Sequence, residues 1–177
     1  MVVKILNTDK NNIFFINFKF CFPTKIHIFT SLYNFMITTK RFNFSDKEYM
    51  KIAHKIRHEV FVIGQNCPAD LEWEFEEEST HFILLKNKTA VATARYRKTN
   101  YGFKLERFAV LDKHQGKGYG HIILKRLLDD LKNCNEKIYL HAQSQVIPFY
   151  EKMSFSKHGD EFVEAGIKHY KMYFKST

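Results

Sequence analysis

The sequence predicts an α/β domain of the α+β kind, with a central mixed, mostly antiparallel sheet flanked by helices. Three observations carry that expectation. Apolar residues alternate with the strand period of two from His81 to Leu111. Leu124, Leu127, Leu128 and Leu131 then recur on one face of a 3.6-residue helix. Between the two periods stands a glycine-rich turn, Gln115 to Gly120. A chain of 177 residues with 45% hydrophobic content is the size of one domain that closes its own core.

Taken in order, Met1 to Tyr33 is rich in Phe, Ile, Asn and Lys and differs from the rest of the chain. Lys19, Pro23 and Lys25 interrupt its apolar residues, no run approaches the ~18 residues of a membrane span, and no small-residue cleavage site is present after it. Residues 1–35 read as a poorly specified extension, with Met36 beginning the domain over 36–177. Ser45 with Glu48 has the spacing of a capping box, and Tyr49, Ile52, Ala53, Ile56 and Val60 extend a helix from Asp46 to Val60. Ile63 to Thr80 contains Gly64, Pro68 and the acidic run Glu72, Glu74, Glu76, Glu77, Glu78, and reads as a long loop with a short helix. Loops of that length in compact domains are commonly functional.

His81–Lys86 and Ala90–Arg97, joined at Asn87 and Lys88, form a predicted hairpin. A turn at Thr99, Asn100 and Gly102 leads to a strand from Phe103 to Leu111, and the leucine-faced helix after the glycines ends near Asn133 and Asn135. Lys137–Ala142 is a short strand. Val146–Met153 is a brief helix, with Pro148 confined to its first turn. Phe155–His158 and Ile167–Phe174 close the sheet around a loop from Gly159 to Gly166.

A net charge of +9 and a pI near 9.4 favour anionic partners in general. The segment before Met36 contributes +3 of this, Lys4, Lys10, Lys19 and Lys25 against Asp9. Basic and acidic residues interleave elsewhere, and no recognition-helix or RNA-binding motif is present, which argues against a nucleic-acid or membrane partner. Cys21, Cys67 and Cys134 are odd in number and widely spaced. They fit neither a disulfide framework nor a metal site, so a reducing cytoplasm and an inert Cys67 thiol are expected.

Gln115-Gly116-Lys117-Gly118-Tyr119-Gly120 lies between a strand and a helix. Glycines there let the backbone bend sharply, and the helix start leaves N–H groups without intrahelical partners. A pyrophosphate accepts such donors, helped by the helix dipole and by Lys113 and Lys117. The spacing is not that of a P-loop, which needs Gly-Lys-Ser/Thr, nor of the dinucleotide fingerprint G-x-G-x-x-G. Taken alone, the same glycines also suit a tight connection with no ligand.

With its flanks, the turn resembles the Gln/Arg-x-x-Gly-x-Gly/Ala signature of the GNAT N-acetyltransferases, matched by Gln115, Gly118 and Gly120. Arg107 to Leu111 is similar to that family's fourth strand. Phe149-Tyr150-Glu151-Lys152-Met153-Ser154-Phe155 resembles its Phe/Leu-Tyr-Glu-Lys-x-Gly-Phe, with Ser154 replacing glycine. His141-Ala142-Gln143 through Pro148, Glu164 to His169, and Val60 to Pro68 resemble the ElaA/YjcF-like branch, although Gly64 stands where that branch usually has Glu.

The resemblance implies a sheet splayed between strands 4 and 5 and acetyl-coenzyme A as co-substrate, with no metal. It assigns coenzyme contacts to Phe108, Ala109, Val110, Gln115, Gly116, Lys117, Gly118, Tyr119, Gly120 and Gln143, the backbone N–H of Val110 facing the thioester carbonyl. It places Tyr150 as general acid and Glu106 as first choice of base; His141 and His169 compete for that role, and an amine that arrives neutral needs no base. Arg57, Gln65 and Trp73 are expected at the acceptor site. There the Glu74 to Glu78 run either replaces the carboxylate lost at Gly64 or is a solvated face. The acceptor is a small-molecule, peptide or protein amine, and a homodimer is compatible with the resemblance. A non-catalytic acyl-coenzyme A-binding regulatory module is the alternative.

Overall fold

The alternation from His81 onward folds as the hairpin it predicts. In the computed structural model, which describes residues 36–175, β2 (Ser79–Lys86) and β3 (Thr89–Thr99) pair antiparallel. Asn87 and Lys88 form the two-residue connection with φ of 49° and 66°, the left-handed pair that matches strand twist. The expected extension over residues 1–35, with Cys21, lies outside the described residues. Met36 and Asn87 exchange hydrogen bonds of 3.0 and 2.9 Å, which lays β1 (Ile37–Phe42) along β2. No periodicity marks this strand in advance, because Thr38, Thr39, Lys40 and Arg41 break the alternation. Polar residues of that kind suit an edge.

The remaining strands are β4 (Gly102–Val110), β5 (Ile138–Gln143), β6 (Phe155–Glu164) and β7 (Ile167–Phe174). Their order is β1-β2-β3-β4-β5-β7-β6, and every neighbouring pair is antiparallel except β4 and β5. This is the mixed, mostly antiparallel sheet the sequence predicts. Gly102 has φ of 115°, and a Cβ there would overlap the backbone of Lys137. Phe103 N–H donates to the Lys137 carbonyl at 2.8 Å, so a residue without a side chain lets β5 start directly beside β4.

Helix α1 (Lys47–Arg57) is capped one residue later than the sequence indicates. Asp46 accepts from Tyr49 N–H at 3.3 Å, while the Ser45 hydroxyl bonds Asn43 at 2.6 Å. Both residues are good caps, and the local Asn43 contact takes Ser45 out of competition. Met50, Ala53 and Ile56 face the sheet, and the chain continues into a π-helical turn, His58–Ile63. Helix α2 (Tyr119–Asp130) packs Ile123, Leu124 and Leu127, none of them exposed, on the opposite face against Phe82, Leu84 and Leu105. Each such side chain contributes about 2 kcal/mol of burial. Helix α3 (Ile147–Glu151) carries Pro148 in its first turn, as expected.

The expected loop from Gly159 to Gly166 is mostly strand. β6 runs on to Glu164, and only Ala165 and Gly166, both at positive φ, make the turn. Gly159, at φ of 74°, opens an irregularity between His158 and Phe162 that the strand absorbs. Its longer course brings Glu164 back over the face that carries His141.

Candidate active site

β4 and β5 pair at only three positions, Phe103↔Ile138, Lys104↔Tyr139 and Leu105↔Leu140. Beyond Leu105, β4 stays with β3 while β5 turns to β7, so the expected splay is present as a wedge between two arms. Within β4, Arg107 and Phe108 together stand opposite Ala94, a β-bulge with Arg107 at φ of 58°. The bulge resets the alternation, so that Leu105 and Phe108 face α2 while Ala109 packs with Ile56 of α1.

The glycine turn comes next along the chain. Gly116 and Gly118 have φ of 70° and 80°, and a Cβ on either would meet nothing within 4 Å. Backbone conformation, not crowding, asks for glycine at both, and the space above them is open. Gly118 is the N-cap of α2, whose first turn has no side-chain cap and no acidic residue. The first N–H groups of a twelve-residue helix therefore face outward beside Lys113 and Lys117. Some desolvation and then the charges of Lys117, Lys113 and Lys86 push the His114 pKa down, which registers the positive field there. Gln115, itself exposed, braces the turn by donating from Nε2 to the Val110 carbonyl at 3.2 Å and to Asp112 Oδ1 at 2.8 Å. Lys117 Nζ donates to the Lys113 carbonyl at 2.5 Å. Tyr119 is buried, and Gly120 lies against the Phe149 ring.

Tyr150 is 7% exposed between the rings of Phe108, Phe149 and Phe155, at 6.1, 4.9 and 5.8 Å. Burial pushes its phenol well above the ordinary range. No atom among the described residues hydrogen-bonds its hydroxyl, which leaves a protonated donor without a partner in an apolar collar at the wedge. The open turn with its unopposed donors fits a pyrophosphate, and the parted strands offer free backbone groups to an extended amide chain.

Residues 44–176 match the family described as the acetyltransferase (GNAT) domain. The chain belongs to the GNAT acetyltransferases. The uncharacterized N-acetyltransferase YjcF of Bacillus subtilis (strain 168) is 40% identical over 131 residues, covering 72% of this chain and 93% of that protein. Protein ElaA of Escherichia coli (strain K12) is 27% identical over 122 residues, covering 65% of this chain and 80% of ElaA. The crystal structure of ElaA superposes with a TM-score of 0.71 at 23% identity, over 79% of this chain and 100% of that one. An acyl-CoA N-acyltransferase structure from Pseudomonas aeruginosa superposes at 0.72 with 20% identity, over 78% and 99%. These place the chain in the ElaA/YjcF-like branch and give the GNAT family's acyl transfer as its chemistry.

The α1 side of the wedge carries charge. Glu106 and His141 are the first residues past the last β4–β5 pair. Glu106 is held by Arg95 Nη2 at 2.7 Å and Arg97 Nε at 2.9 Å. Burial opposes its ionisation, but Arg95, Lys104 and Arg97 prevail and hold its pKa below the ordinary carboxylate value. His141 Nδ1 lies 2.9 Å from Glu164 Oε2, with its ring edge-on to Phe162 at 4.9 Å. His169 is nearly buried, with Nδ1 bound to the Ile167 carbonyl at 2.8 Å and its ring stacked on Phe162. Gln143 donates to Gln65 Oε1 at 2.9 Å and accepts from Gln145, which ties the segment after the π-helical turn to β5.

Arg57, expected at the acceptor site, is enclosed by neighbouring residues. It is 1% exposed and donates from Nη2 to Glu76 Oε1 and to the Glu72 carbonyl, both at 2.5 Å. Arg95 joins Glu76 Oε1 at 2.9 Å, and Arg107 Nε lies 3.4 Å from Glu72 Oε2. The acidic run is thus divided: Glu72 and Glu76 are buried, while Glu74, Glu77 and Glu78 are exposed. Burial works against the Glu76 carboxylate, yet His54 Nε2 at 3.5 Å, the Arg57 hydrogen bond and the Arg57 and Arg95 charges hold it at about 2. Trp73 packs 4.5 Å from His54 and 5.3 Å from the Arg57 guanidinium, beside an open hollow of about 470 Å³ to which neither β4 nor β5 contributes. Burial, followed by the Glu72 charge, pushes the Cys67 thiol up. Among the described residues no cluster of His, Cys, Asp and Glu is placed to hold a metal, and no helix is long and apolar enough to cross a membrane.

Sequence reasoning missed Glu72, Glu76, Arg95 and Glu164 as organisers of this side. Arg95 offered one available signal, since an arginine at an inward strand position needs a carboxylate partner.

Proposed function

We propose that the protein is an N-acetyltransferase moving the acetyl group of acetyl-coenzyme A directly to an amine of a small molecule, peptide or protein in the cytoplasm. The observation that carries this reading is the open, uncapped turn at Gly116 and Gly118, set beside a wedge whose collar holds the hydroxyl of Tyr150. Main-chain donors from Tyr119 and Gly120 bind the pyrophosphate, and Phe108 to Val110 line the arm that leads to the thioester. Tyr150 stays protonated because ionisation inside its ring collar is costly, so it supplies the proton that the departing thiolate takes.

Of the candidate bases, His141 is favoured. Both carboxylate oxygens of Glu106 are engaged by arginines, which makes it a weak base, and the His169 ring is covered. His141 stands at the vertex of the wedge with a quarter of its side chain exposed. The buried cage around Arg57 holds the acceptor-side loop in place, with Gln65 and Trp73 at its margins.

Thiol release from acetyl-coenzyme A, assayed against a library of amines and peptides, tests the reading. Turnover is expected, and Gly118→Glu, which sets a negative side chain in the phosphate path, is expected to weaken coenzyme binding at least about 100-fold by calorimetry. Binding without turnover for every amine would instead make the protein an acyl-coenzyme A-binding module. No detectable binding at millimolar coenzyme would end both readings.

A further inference from the structure

We infer that Glu164 is a positioning residue, which fixes the His141 imidazole with its proton on Nδ1 and so makes Nε2 the atom that receives the acceptor amine's proton. The inference rests on the acetyl-transfer reading and adds how its base is set. Two residues 23 positions apart meet at 2.9 Å, Nδ1 to Oε2. An ionised carboxylate only accepts, so the hydrogen lies on Nδ1 and the lone pair on Nε2. Glu164 is ionised in this setting: the His141 hydrogen bond, working against burial and aided by Lys104, keeps it at about 2. Among the described residues nothing hydrogen-bonds His141 Nε2.

The placement is built by the fold. β4 and β5 part after Leu105↔Leu140, and His141 is the next residue along β5, on the face opposite the α2 core. The long β6 and its short turn at Ala165 and Gly166 carry Glu164 over that face, where Lys104 Nζ lies 3.9 Å from its other oxygen. Phe162 limits rotation of the imidazole from one side. The other titratable groups facing the pair are Lys171, opposite His141 on β7, His169 on the same strand, and Tyr139 with its ring 6.1 Å away.

In the step itself, the neutral amine's nitrogen forms a bond to the acetyl carbon and the carbon–sulfur bond breaks. The nitrogen's surplus proton passes to His141 Nε2, and the thiolate takes the proton of Tyr150. Both side chains then re-equilibrate with water, so protons and electrons balance.

Long-range proton–nitrogen NMR on the full chain, paired with acetyl-coenzyme A turnover on the best amine of the library, tests this. Wild-type neutral His141 is expected as the Nδ1–H tautomer. Glu164→Gln, with its melting curve recorded to show that it folds, is expected to lose that preference. It should lower kcat about 10-fold or more, leave the KM for acetyl-coenzyme A unchanged and shift the acid limb of the pH–rate profile to lower pH. Glu164→Asp should recover part of kcat. An Nε2–H tautomer in the wild type, or a Glu164→Gln protein with unaltered kcat and pH profile, overturns the inference while leaving acetyl transfer standing. A wild type that binds the coenzyme but turns over no amine removes the acetyl-transfer reading and, with it, this role for Glu164, whatever the tautomer.

Discussion

Toward α2 the sheet is apolar, and what it offers a ligand is backbone: the N–H groups at the start of α2 and the strand beyond the Arg107 bulge. Toward α1 it carries Arg95 and Glu106, which join Arg57 of α1 and Glu72 and Glu76 of the following loop, all buried or nearly so and linked to one another. The α2 side is therefore preformed by chain conformation, whereas the α1 side is preformed by charges that depend on each other's presence. Local damage on the first side should stay local. On the second it should spread.

The sharpest way to break the contrast is Arg95→Met, which strips Glu76 and Glu106 of a shared partner. A loss of about 3–5 kcal/mol in denaturant unfolding is expected, because two buried carboxylates are left short of compensating charge. A loss under about 1 kcal/mol would mean the charges act independently.

Tyr150→Phe is expected to lower kcat about 100-fold while changing stability by less than about 1 kcal/mol, since the hydroxyl has no protein partner to lose. Equal kcat would remove the acid role. Gly118→Ala, at φ of 80° and facing open space, should cost about 1–2 kcal/mol by thermal unfolding.

Acid should act on the charged side first. His81 is shifted below its ordinary 6.5, chiefly by burial, so the unfolded chain takes up a proton that the folded one resists, and stability declines as pH falls below 6.5. Glu76, at about 2 against an ordinary 4.5, contributes stability that is whole above 4.5 and is lost as pH drops toward 2. Melting temperatures of the wild type and Glu76→Gln, recorded from pH 7 downward, should converge across that lower window. Convergence at higher pH, or none, would contradict the assignment. Smallest of all should be Gly120→Ala. Its Cβ would sit 3.5 Å from the Phe149 ring inside α2, so stability should change by less than about 1 kcal/mol and coenzyme affinity not measurably.

The same contrast explains what was readable in the chain. The β2–β3 hairpin, α2 and the Gln115–Gly120 turn are contiguous patterns, in which period and turn chemistry agree. The polar run of β1, the cap displaced from Ser45 to Asp46, and the strand hidden behind Gly159 are places where local signals were outvoted by neighbours. On the α1 side, Arg95 meets Glu76 across 19 residues and His141 meets Glu164 across 23. No window of the sequence contains either pair, and nothing in Glu72 to Glu78 marks which members go inside. Arg57 shows the limit most plainly, since its place on α1 was legible and its burial was not.

Gly102 sets the closed end of the wedge by main chain against main chain, with Lys137 as the opposing jaw. No rotamer change can relieve an added methyl there, so the jaws must separate instead. The whole aperture would then widen from its root, dragging apart arms that Gly102 itself never reaches. A position at the root of the wedge thereby governs the gauge of its opening.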